Sequence, residues 1–206
     1  MPPQPRASFE QKRASREAAR ERRASVDDPN VVMEAAATFL AVRPRSVAET
    51  GNRLRHLGYP SAIVGTVLER LAGMGYLDDE AFARAWVESR DRARPRGQNA
   101  LRRELALKGV PRDLVEAVLT ERAEPEADLR PGSDETRDGP SPGPDRAAAE
   151  RLLARRRAAL DREPDPRKRR QRAYALLARN GFDPETCREV AATIVDSAGS
   201  DGEGET

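Results

Sequence analysis

Apolar residues recur along most of the chain at the three- and four-residue spacing of amphipathic helices, and almost no segment alternates as a strand would. The segment 31–42 (VVMEAAATFLAV) is predicted as the first helix. A second begins at Ser46, which forms a capping-box pattern with Glu49, and ends near Leu57. A third begins at Pro60 and places these apolar residues on one face: Ile63, Val64, Val67, Leu68 and Leu71.

This helical pattern recurs twice. The segment 54–71 (LRHLGYPSAIVGTVLERL) matches 105–122 (LALKGVPRDLVEAVLTER) and, more loosely, 177–194 (LARNGFDPETCREVAATI). Each contains a leucine, a glycine four residues later and then an apolar residue: Leu54, Gly58 and Tyr59; Leu105, Gly109 and Val110; Leu177, Gly181 and Phe182. Glycine in this position is predicted to adopt the left-handed conformation that ends one helix before the next begins.

The chain is therefore predicted to be all-α, with three tandem three-helix repeats of the helix-turn-helix type. We expect repeat 1 at 29–75, repeat 2 at 76–123 and repeat 3 at 145–197. Three flanking segments have little to bury and are predicted to be disordered. They are a basic arm at 1–28, an acidic Pro- and Gly-rich linker at 124–144, and an acidic tail at 198–206.

Composition limits the chemistry available to the chain. Only 37% of the 206 residues are hydrophobic and 4% aromatic, too few large apolar side chains for a single thick core. Cys187 is the one cysteine and His56 the one histidine, which excludes an internal disulfide and most zinc and triad sites. We expect no cofactor, metal or catalytic residue. No apolar run approaches the ~20 residues that span a bilayer, so a soluble cytoplasmic protein is expected.

Three consecutive acids, Asp78, Asp79 and Glu80, could hold a metal or begin a helix. Adjacent side chains at a helix start point in different directions, so they would not converge on one ion. Asp78 is instead predicted to be the N-cap, with the other acids in the first turn, where negative charge favours the helix dipole. Phe82 then takes the position of a hydrophobic staple and shares a face with Trp86, so both aromatics are predicted to anchor repeat 2.

The run from Gly75 to Val110 (GYLDDEAFARAWVESRDRARPRGQNALRRELALKGV) resembles the signature of the RecX family, bacterial regulators of the RecA recombinase. That family shows a YLDDxxFA helix start, a basic stretch and an LRxELxxKGI second helix in this order. The resemblance assigns structural roles to Tyr76, Leu77, Asp78, Asp79, Phe82, Trp86, Leu105 and Gly109. It implies three tandem repeats forming an elongated curved rod, which lodges in the helical groove of the recombinase–DNA filament and restrains its activity.

Basic residues concentrate in two of the repeats. Residues 84–108 hold eight basic and three acidic side chains, and residues 146–172 hold eleven and four. Such runs are often solvated helix faces. In a chain that resembles a filament binder, we expect them to contact DNA phosphates or an acidic surface of the recombinase. The candidate contact residues are Arg90, Arg94, Arg96, Arg102, Arg103, Lys108, Arg155, Arg156, Arg167, Lys168, Arg169 and Arg170.

Two function classes remain. The first is a monomeric regulator of the RecA filament, with single-stranded DNA as a second candidate partner and no small-molecule substrate or membrane. The second is a helix-turn-helix protein that binds DNA directly. Its recognition helices would be 60–72, 111–122 and 184–195, which are more apolar than basic and lack the polar residues that read base edges.

Overall fold

The computed structural model describes residues 9–123 and 143–196, whose regular secondary structure is entirely α-helical. This confirms the prediction of an all-α protein built from three-helix repeats. The helices are α1 (Phe9–Ala24), α2 (Pro29–Leu40), α3 (Val47–Leu57), α4 (Ser61–Gly73), α5 (Asp79–Ala93), α6 (Gln98–Leu107), α7 (Arg112–Ala123), α8 (Pro144–Leu160), α9 (Pro166–Arg179) and α10 (Pro184–Asp196). None of the helices in these ranges combines the length and apolar character needed to cross a bilayer.

The chain divides into two compact units. The first contains the chain up to Phe82 together with Lys108–Val110, and the second contains Ala83–Leu107 and the chain from Pro111 onward. In the first unit, α2 packs against α3 and α4 around a buried apolar cluster whose members include Val32, Ala36, Leu54, Val64, Val67 and Leu71. In the second unit, α8, α9 and α10 enclose a cluster that includes Ala149, Leu153, Leu177, Phe182, Cys187 and Val190.

The predicted helix starts are present. The Ser46 hydroxyl accepts a hydrogen bond from the Glu49 amide at 3.0 Å, and the Glu49 carboxylate accepts one from the Ser46 amide, which completes the capping box. Asp78 Oδ1 accepts from the amides of Glu80 and Ala81, both at 2.9 Å, as an N-cap does. The acids at this position therefore begin α5, as the sequence predicts.

Asp79 has a role that its sequence position does not reveal. Its Oδ1 accepts a hydrogen bond of 2.9 Å from the amide of Val47, the first residue of α3. Burial and the neighbouring charge of Asp78 raise the pKa of the Asp79 carboxyl, and the bond from Val47 opposes that rise. The side chain thus ties the start of α5 to the start of α3.

The three repeated glycines adopt positive φ angles of 104°, 74° and 84° at Gly58, Gly109 and Gly181, as predicted. Each also lies against a preceding helix. A Cβ added at these glycines would meet Arg20, Ala48 and Ala100, respectively, at less than the 3.0 Å below which Cβ contacts are essentially never seen. The glycines are therefore required for close packing as well as for the turn.

The carbonyl group just before each of these glycines also receives a hydrogen bond from an earlier element. Lys108 O accepts from Ser46 Oγ at 2.5 Å, and Asn180 O accepts from the Gly97 amide at 3.1 Å. In repeat 1 the equivalent carbonyl, that of Leu57, accepts from Arg23 Nη1 at 3.5 Å. The glycine turns of repeats 2 and 3 are thus contacted by the start of the second helix of the preceding repeat, α3 or α6. Helix α1 makes the corresponding contact with the glycine turn of repeat 1.

This contact corrects the prediction that residues 1–28 form a disordered arm, because Phe9–Ala24 form helix α1. The prediction of disorder rests on the marginal stability in water of a short helix that packs against nothing. In the structure, α1 buries no residue of its own but lies against Gly58 and donates from Arg23 to repeat 1. The acidic tail and all of the predicted linker up to residue 142 lie outside the described residues, and Pro144 begins α8.

Candidate functional site

Two candidate residues of repeat 2 converge with Trp86 on one carboxylate. Glu104 Oε2 accepts hydrogen bonds from Trp86 Nε1 at 2.9 Å and from Arg90 Nε at 2.6 Å, and Arg96 Nε lies 3.4 Å from Glu104 Oε1. The Arg90 guanidinium also lies 4.3 Å from the centroid of the Trp86 ring. Arg90 and Arg96 are therefore held in an intramolecular cluster that joins α5 to α6. Trp86 is only partly buried, so it is less of a core anchor than the sequence predicts.

The adjacent arginines of α6 have different surroundings. Arg102 forms a two-pronged ion pair with Glu116 of α7, with donor–acceptor distances of 2.7 and 2.9 Å. The hydrogen bond to Glu116 raises the pKa of Arg102, and the same bond lowers the pKa of Glu116. Arg103, the next residue, is exposed and pairs with none of the described residues. Only Arg103 of these two offers its full charge to a partner.

Lys108 is also engaged within the protein. Its Nζ donates to Glu49 Oε1 at 2.8 Å, and Arg43 Nη2 donates to the same oxygen at 3.1 Å. Burial alone would raise the pKa of Glu49, but the hydrogen bonds from Lys108 and Arg43 outweigh it and lower the pKa. Lys108 therefore stabilises the first unit around the carboxylate that caps α3.

Replacing Glu49 with glutamine should test this role through its pH dependence. A carboxyl group whose pKa is lowered by folding adds stability above its unfolded pKa of about 4.3, and that stability is lost as the pH falls through the folded pKa. Glutamine keeps an acceptor for the Ser46 amide but loses the charge. We expect Glu49→Gln to lower the free energy of unfolding by about 1 kcal/mol at pH 7 and by much less near pH 3. Urea unfolding at the two pH values measures the difference, and an equal loss at both would contradict the ion-pair role.

Two candidates of repeat 3 likewise have intramolecular partners. Arg155 donates from Nη1 to Ala93 O at 2.5 Å and from Nη2 to Arg92 O at 2.8 Å, so it satisfies carbonyls at the end of α5. Arg169 Nε donates to Glu163 O at 3.1 Å, just before α9. Both arginines hold segments of the second unit in place.

The other six candidates are exposed, and their side chains form no hydrogen bond or ion pair within the part of the chain that the structure describes: Arg94, Arg103, Arg156, Arg167, Lys168 and Arg170. Three of these lie together near the start of α9. We call Arg167, Lys168 and Arg170 the α9 cation cluster.

Electrostatics makes the position of the α9 cation cluster unusual. Cations near a helix N-terminus oppose the helix dipole, and α9 contains no acid among its fourteen residues. The N-cap Asp165 compensates in part, since its Oδ1 accepts from the amides of Arg167 at 2.8 Å and Lys168 at 3.4 Å. A set of cations kept at a cost to the helix is a candidate for binding an anionic partner.

The surface of α9 is also open where the second helices of repeats 1 and 2 are covered. Ala48 of α3 and Ala100 of α6 contact the glycine turn of a later repeat. Ala48 lies ten residues before Gly58, the turn glycine of its own repeat, and Ala100 lies nine residues before Gly109. The equivalent residues of repeat 3, ten and nine before Gly181, are Gln171 and Arg172 of α9, which are long and exposed. No glycine turn among the described residues lies on them. This face of repeat 3 therefore remains available, next to the α9 cation cluster.

The signature residues of the family occupy mostly structural positions. Leu77, Phe82 and Leu105 are buried, and Asp78 and Asp79 begin α5 as described above. Tyr76 differs, because 69% of its surface is exposed and only its backbone amide, bonded to Leu71 O, has a visible structural role. Its ring is free to contact a partner.

Sequence reasoning missed Arg122, the most buried cation in the ion pairs. Its side chain is 8% exposed and donates to both oxygens of Asp91 at 2.9 Å and to Asp145 Oδ1 at 2.5 Å. Burial alone would lower the pKa of Arg122, but the two carboxylates outweigh it and raise the pKa. In sequence, Arg122 is an ordinary arginine in the charged last turn of α7, and nothing in its neighbours indicates that its side chain is buried. Among the described residues, no three His, Cys, Asp or Glu side chains are placed to hold a metal ion.

Three protein-family models match the chain in order. They describe the first three-helix domain of RecX at residues 33–71, the second at 78–119 and the third at 145–191. Each match lies inside one of the three predicted repeats. Helix α1 precedes all three matches.

Individual relatives agree with the family models. The chain is 34% identical over 155 residues to the regulatory protein RecX of Mycobacterium tuberculosis (strain ATCC 25618 / H37Rv), covering 74% of this chain and 79% of that protein. The same identity and length relate it to the regulatory protein RecX of Mycobacterium sp. (strain KMS), with 75% of that protein covered.

Among solved structures, a crystal structure of RecX from Lactobacillus salivarius superposes with a TM-score of 0.64 at 16% identity, covering 83% of this chain and 98% of that one. A second crystal structure of a regulatory protein RecX gives a TM-score of 0.62 at 18% identity, covering 93% and 81%. At these identities, the superpositions establish the fold.

Proposed function

The chain belongs to the RecX family of regulatory proteins, and on this premise we propose that it binds the filament that the RecA recombinase forms on DNA and restrains the recombinase. The observation that carries the proposal is the unbroken order of three RecX domains between residues 33 and 191. A protein of this kind acts in the cytoplasm, as a monomer, by occupying the helical groove of the filament, and needs no catalytic residue or cofactor.

The proposed contact surface is the α9 cation cluster with the open face beside it. Arg167, Lys168 and Arg170 are exposed cations that pair with no acid among the described residues, so binding an anionic surface would not break an ion pair seen there. The filament presents two such surfaces, DNA phosphates and recombinase carboxylates. Arg94, Arg103 and Arg156 are proposed as secondary contacts because they too are exposed and unpaired among the described residues.

The six candidates with internal partners are assigned a different role. Arg90, Arg96, Arg102, Lys108, Arg155 and Arg169 already bind carboxylates or carbonyls of the protein. Recruiting them to a partner would sacrifice these interactions. We therefore propose that they shape the repeats, and that they affect binding only through stability.

Direct binding of DNA through the helix-turn-helix units has less support. The helices in the position of recognition helices, α4, α7 and α10, use their apolar residues in the cores of the repeats. The exposed residues of α7 carry no excess of positive charge, since Arg112 is followed by Asp113 and Glu121. Such a helix offers little attraction to a DNA groove.

The proposal predicts that the wild-type chain lowers DNA-dependent ATP hydrolysis by RecA at equimolar or lower amounts. The triple variant Arg167→Glu/Lys168→Glu/Arg170→Glu should need at least about tenfold more protein for the same effect, because like charges facing each other at an interface cost several kcal/mol. Acids at the start of α9 favour its dipole, so the variant should remain folded.

A control variant with the same change of charge separates a defined surface from general electrostatics. Arg70→Glu/Arg112→Glu/Arg179→Glu alters three exposed arginines on α4, α7 and the end of α9. It should inhibit as the wild type does. No inhibition by the folded wild-type protein at excess would remove the proposed function, and equal loss in both variants would remove the proposed surface.

A further inference from the structure

Helix α1 carries a line of arginines that the proposed function does not use. Arg13, Arg16, Arg20 and Arg23 follow one another at spacings of three, four and three residues, which places them on one face of the helix. The first and the last of these arginines are ten residues apart, which corresponds to about 15 Å at 1.5 Å per residue. The helix buries no residue, so this line of arginines is not explained by packing into a core.

This face of α1 forms one wall of a groove in the first unit. The other wall is the end of α3 with the turn into α4, including Arg53, Arg55 and His56. The groove has a volume of about 1250 Å³, and six arginines line it against two glutamates, Glu17 and Glu21. Its volume exceeds the 300–1,000 Å³ or so of small-ligand pockets, and its charge favours a polyanion.

The position of α1 is set by contacts at one end of the groove. Arg23 Nη1 donates to Leu57 O at 3.5 Å, and its guanidinium lies 5.9 Å from the centroid of the Tyr59 ring. The main chain at Arg20 lies so close to Gly58 that a Cβ there would overlap it. Arg13 and Arg16 lie nearer the N-terminus of α1, away from these contacts. They are exposed and form no ion pair with the described residues. Their charges are available to a ligand.

The floor of the groove offers a further feature suited to anions. Pro60 and Ser61 at the start of α4 line the groove, and no side chain caps the first turn of this helix. Amide groups at an uncapped helix start, together with the positive end of the helix dipole, attract phosphate. The arginine line and the start of α4 therefore both face the same groove.

The groove favours a nucleic-acid strand over a protein. Protein interfaces have an apolar or aromatic centre, whereas Tyr59 in this groove is only 9% exposed and lies beneath Arg23, and the other ring, that of His56, is polar. With only one exposed ring, that of His56, the groove offers little surface for stacking bases. What the groove offers is contact with a phosphate backbone, which carries no base sequence.

We propose that this groove, between α1 and the α3–α4 turn, binds the phosphate backbone of single-stranded nucleic acid without sequence preference. The proposal does not rest on the proposed function, because it concerns naked nucleic acid and residues that mostly precede the RecX domains. The arginine line is about 15 Å long, which matches only a few nucleotides of an extended single strand. The groove would thus hold a short stretch of a strand.

The test measures binding of the full chain to fluorescent oligo(dT) of twenty nucleotides by anisotropy, without recombinase, over a series of salt concentrations. The variant Arg13→Glu/Arg16→Glu should weaken binding at least about tenfold. It should also make the slope of log K against log salt shallower by about 1.4, since each phosphate contact of a single strand contributes about 0.7. A mixed-sequence oligonucleotide should bind like oligo(dT).

Helix α1 supplies the matched control. Lys12→Glu/Arg22→Glu makes the same change of charge on the same helix, at two exposed residues that do not line the groove, and should bind like the wild type. Circular dichroism checks that both variants keep their helices. Three outcomes would overturn the proposal: equal weakening by the two variants, tighter binding of a duplex of the same length, or binding of poly-glutamate in place of the oligonucleotide.

Discussion

Replacing Gly181 with alanine should lower the free energy of unfolding of the second unit by roughly 2–5 kcal/mol. Two costs add at this residue. Its φ of 84° is the left-handed conformation, which costs a residue with a Cβ about 1–2 kcal/mol. The new Cβ would also overlap the backbone and side chain of Ala100, and overpacking typically costs 1–3 kcal/mol or so.

Other glycines separate the two costs. Gly75 has a φ of 77° and nothing within 4 Å of an added Cβ, so Gly75→Ala should show only the conformational cost. Gly97 has no positive φ, but a Cβ there would overlap the backbone at Gly181 and Phe182, so Gly97→Ala should show only the steric cost. Gly65 lies inside α4 with neither constraint, so Gly65→Ala should stabilise its helix by about 0.5–1 kcal/mol.

Urea unfolding followed by circular dichroism gives these differences. Trp86, the only tryptophan, belongs to the second unit, and its fluorescence reports on that unit directly. The amides of Gly97 and Asn99 donate to Asn180 O and Gly181 O, at 3.1 and 3.2 Å, respectively. The main chains of repeats 2 and 3 are therefore in direct contact at Gly97. A near-neutral Gly97→Ala would mean that repeats 2 and 3 do not pack in this way.

Replacing Arg122 with methionine should cost roughly 2–4 kcal/mol. The arginine is buried and joins α7 to α5 through Asp91 and to α8 through Asp145. Methionine fills much of the space but leaves two partly buried carboxylates without their cation. The loss of stability should lie toward the lower end of the range found when a buried ion pair is broken. The reason is that the side chains of Asp91 and Asp145 are still 25% and 21% exposed and keep some contact with water.

The charge explanation can be tested by removing the orphaned carboxylates. In the background of Arg122→Met, Asp91→Asn/Asp145→Asn should recover part of the lost stability, and asparagine can still accept the bond that Asp145 takes from the Gln98 amide. As a control, Arg146→Ala breaks exposed pairs with Glu150 and Glu189 and should cost less than about 1 kcal/mol. No recovery in the triple variant would show that lost packing, and not charge, explains the effect.

Features that depend on neighbours in sequence were predictable. The capping box of Ser46 and Glu49, the N-cap at Asp78 and the left-handed glycines all involve residues a few positions apart. The repeated Leu–Gly–apolar pattern likewise predicts three-helix repeats, because each copy encodes the same local turn. These interactions need no knowledge of the rest of the fold.

For the candidate site, the sequence shows which segments are rich in basic residues but not which of those residues are free to bind. Cations in one basic run look alike in sequence, yet Arg102 pairs with Glu116 while Arg103 is exposed. Arg155 binds carbonyls of α5, sixty-two and sixty-three residues earlier in the chain. Since the partner of each cation lies on another helix, the sequence cannot separate the cations that hold the repeats together from those free to bind.

The sequence by itself determined the helices of the three repeats and most of their ends, because periodicity, capping and turn glycines act over a few residues. The family followed from the resemblance of residues 75–110 to its signature. The tertiary structure alone decided that α1 is a helix beside repeat 1, that Arg122 is buried between two acids, and that the α9 cation cluster has no acidic partner among the described residues. The physical reason is that helix packing brings distant residues together, and whether a charge is stabilised internally or offered to a partner depends on the groups it then meets.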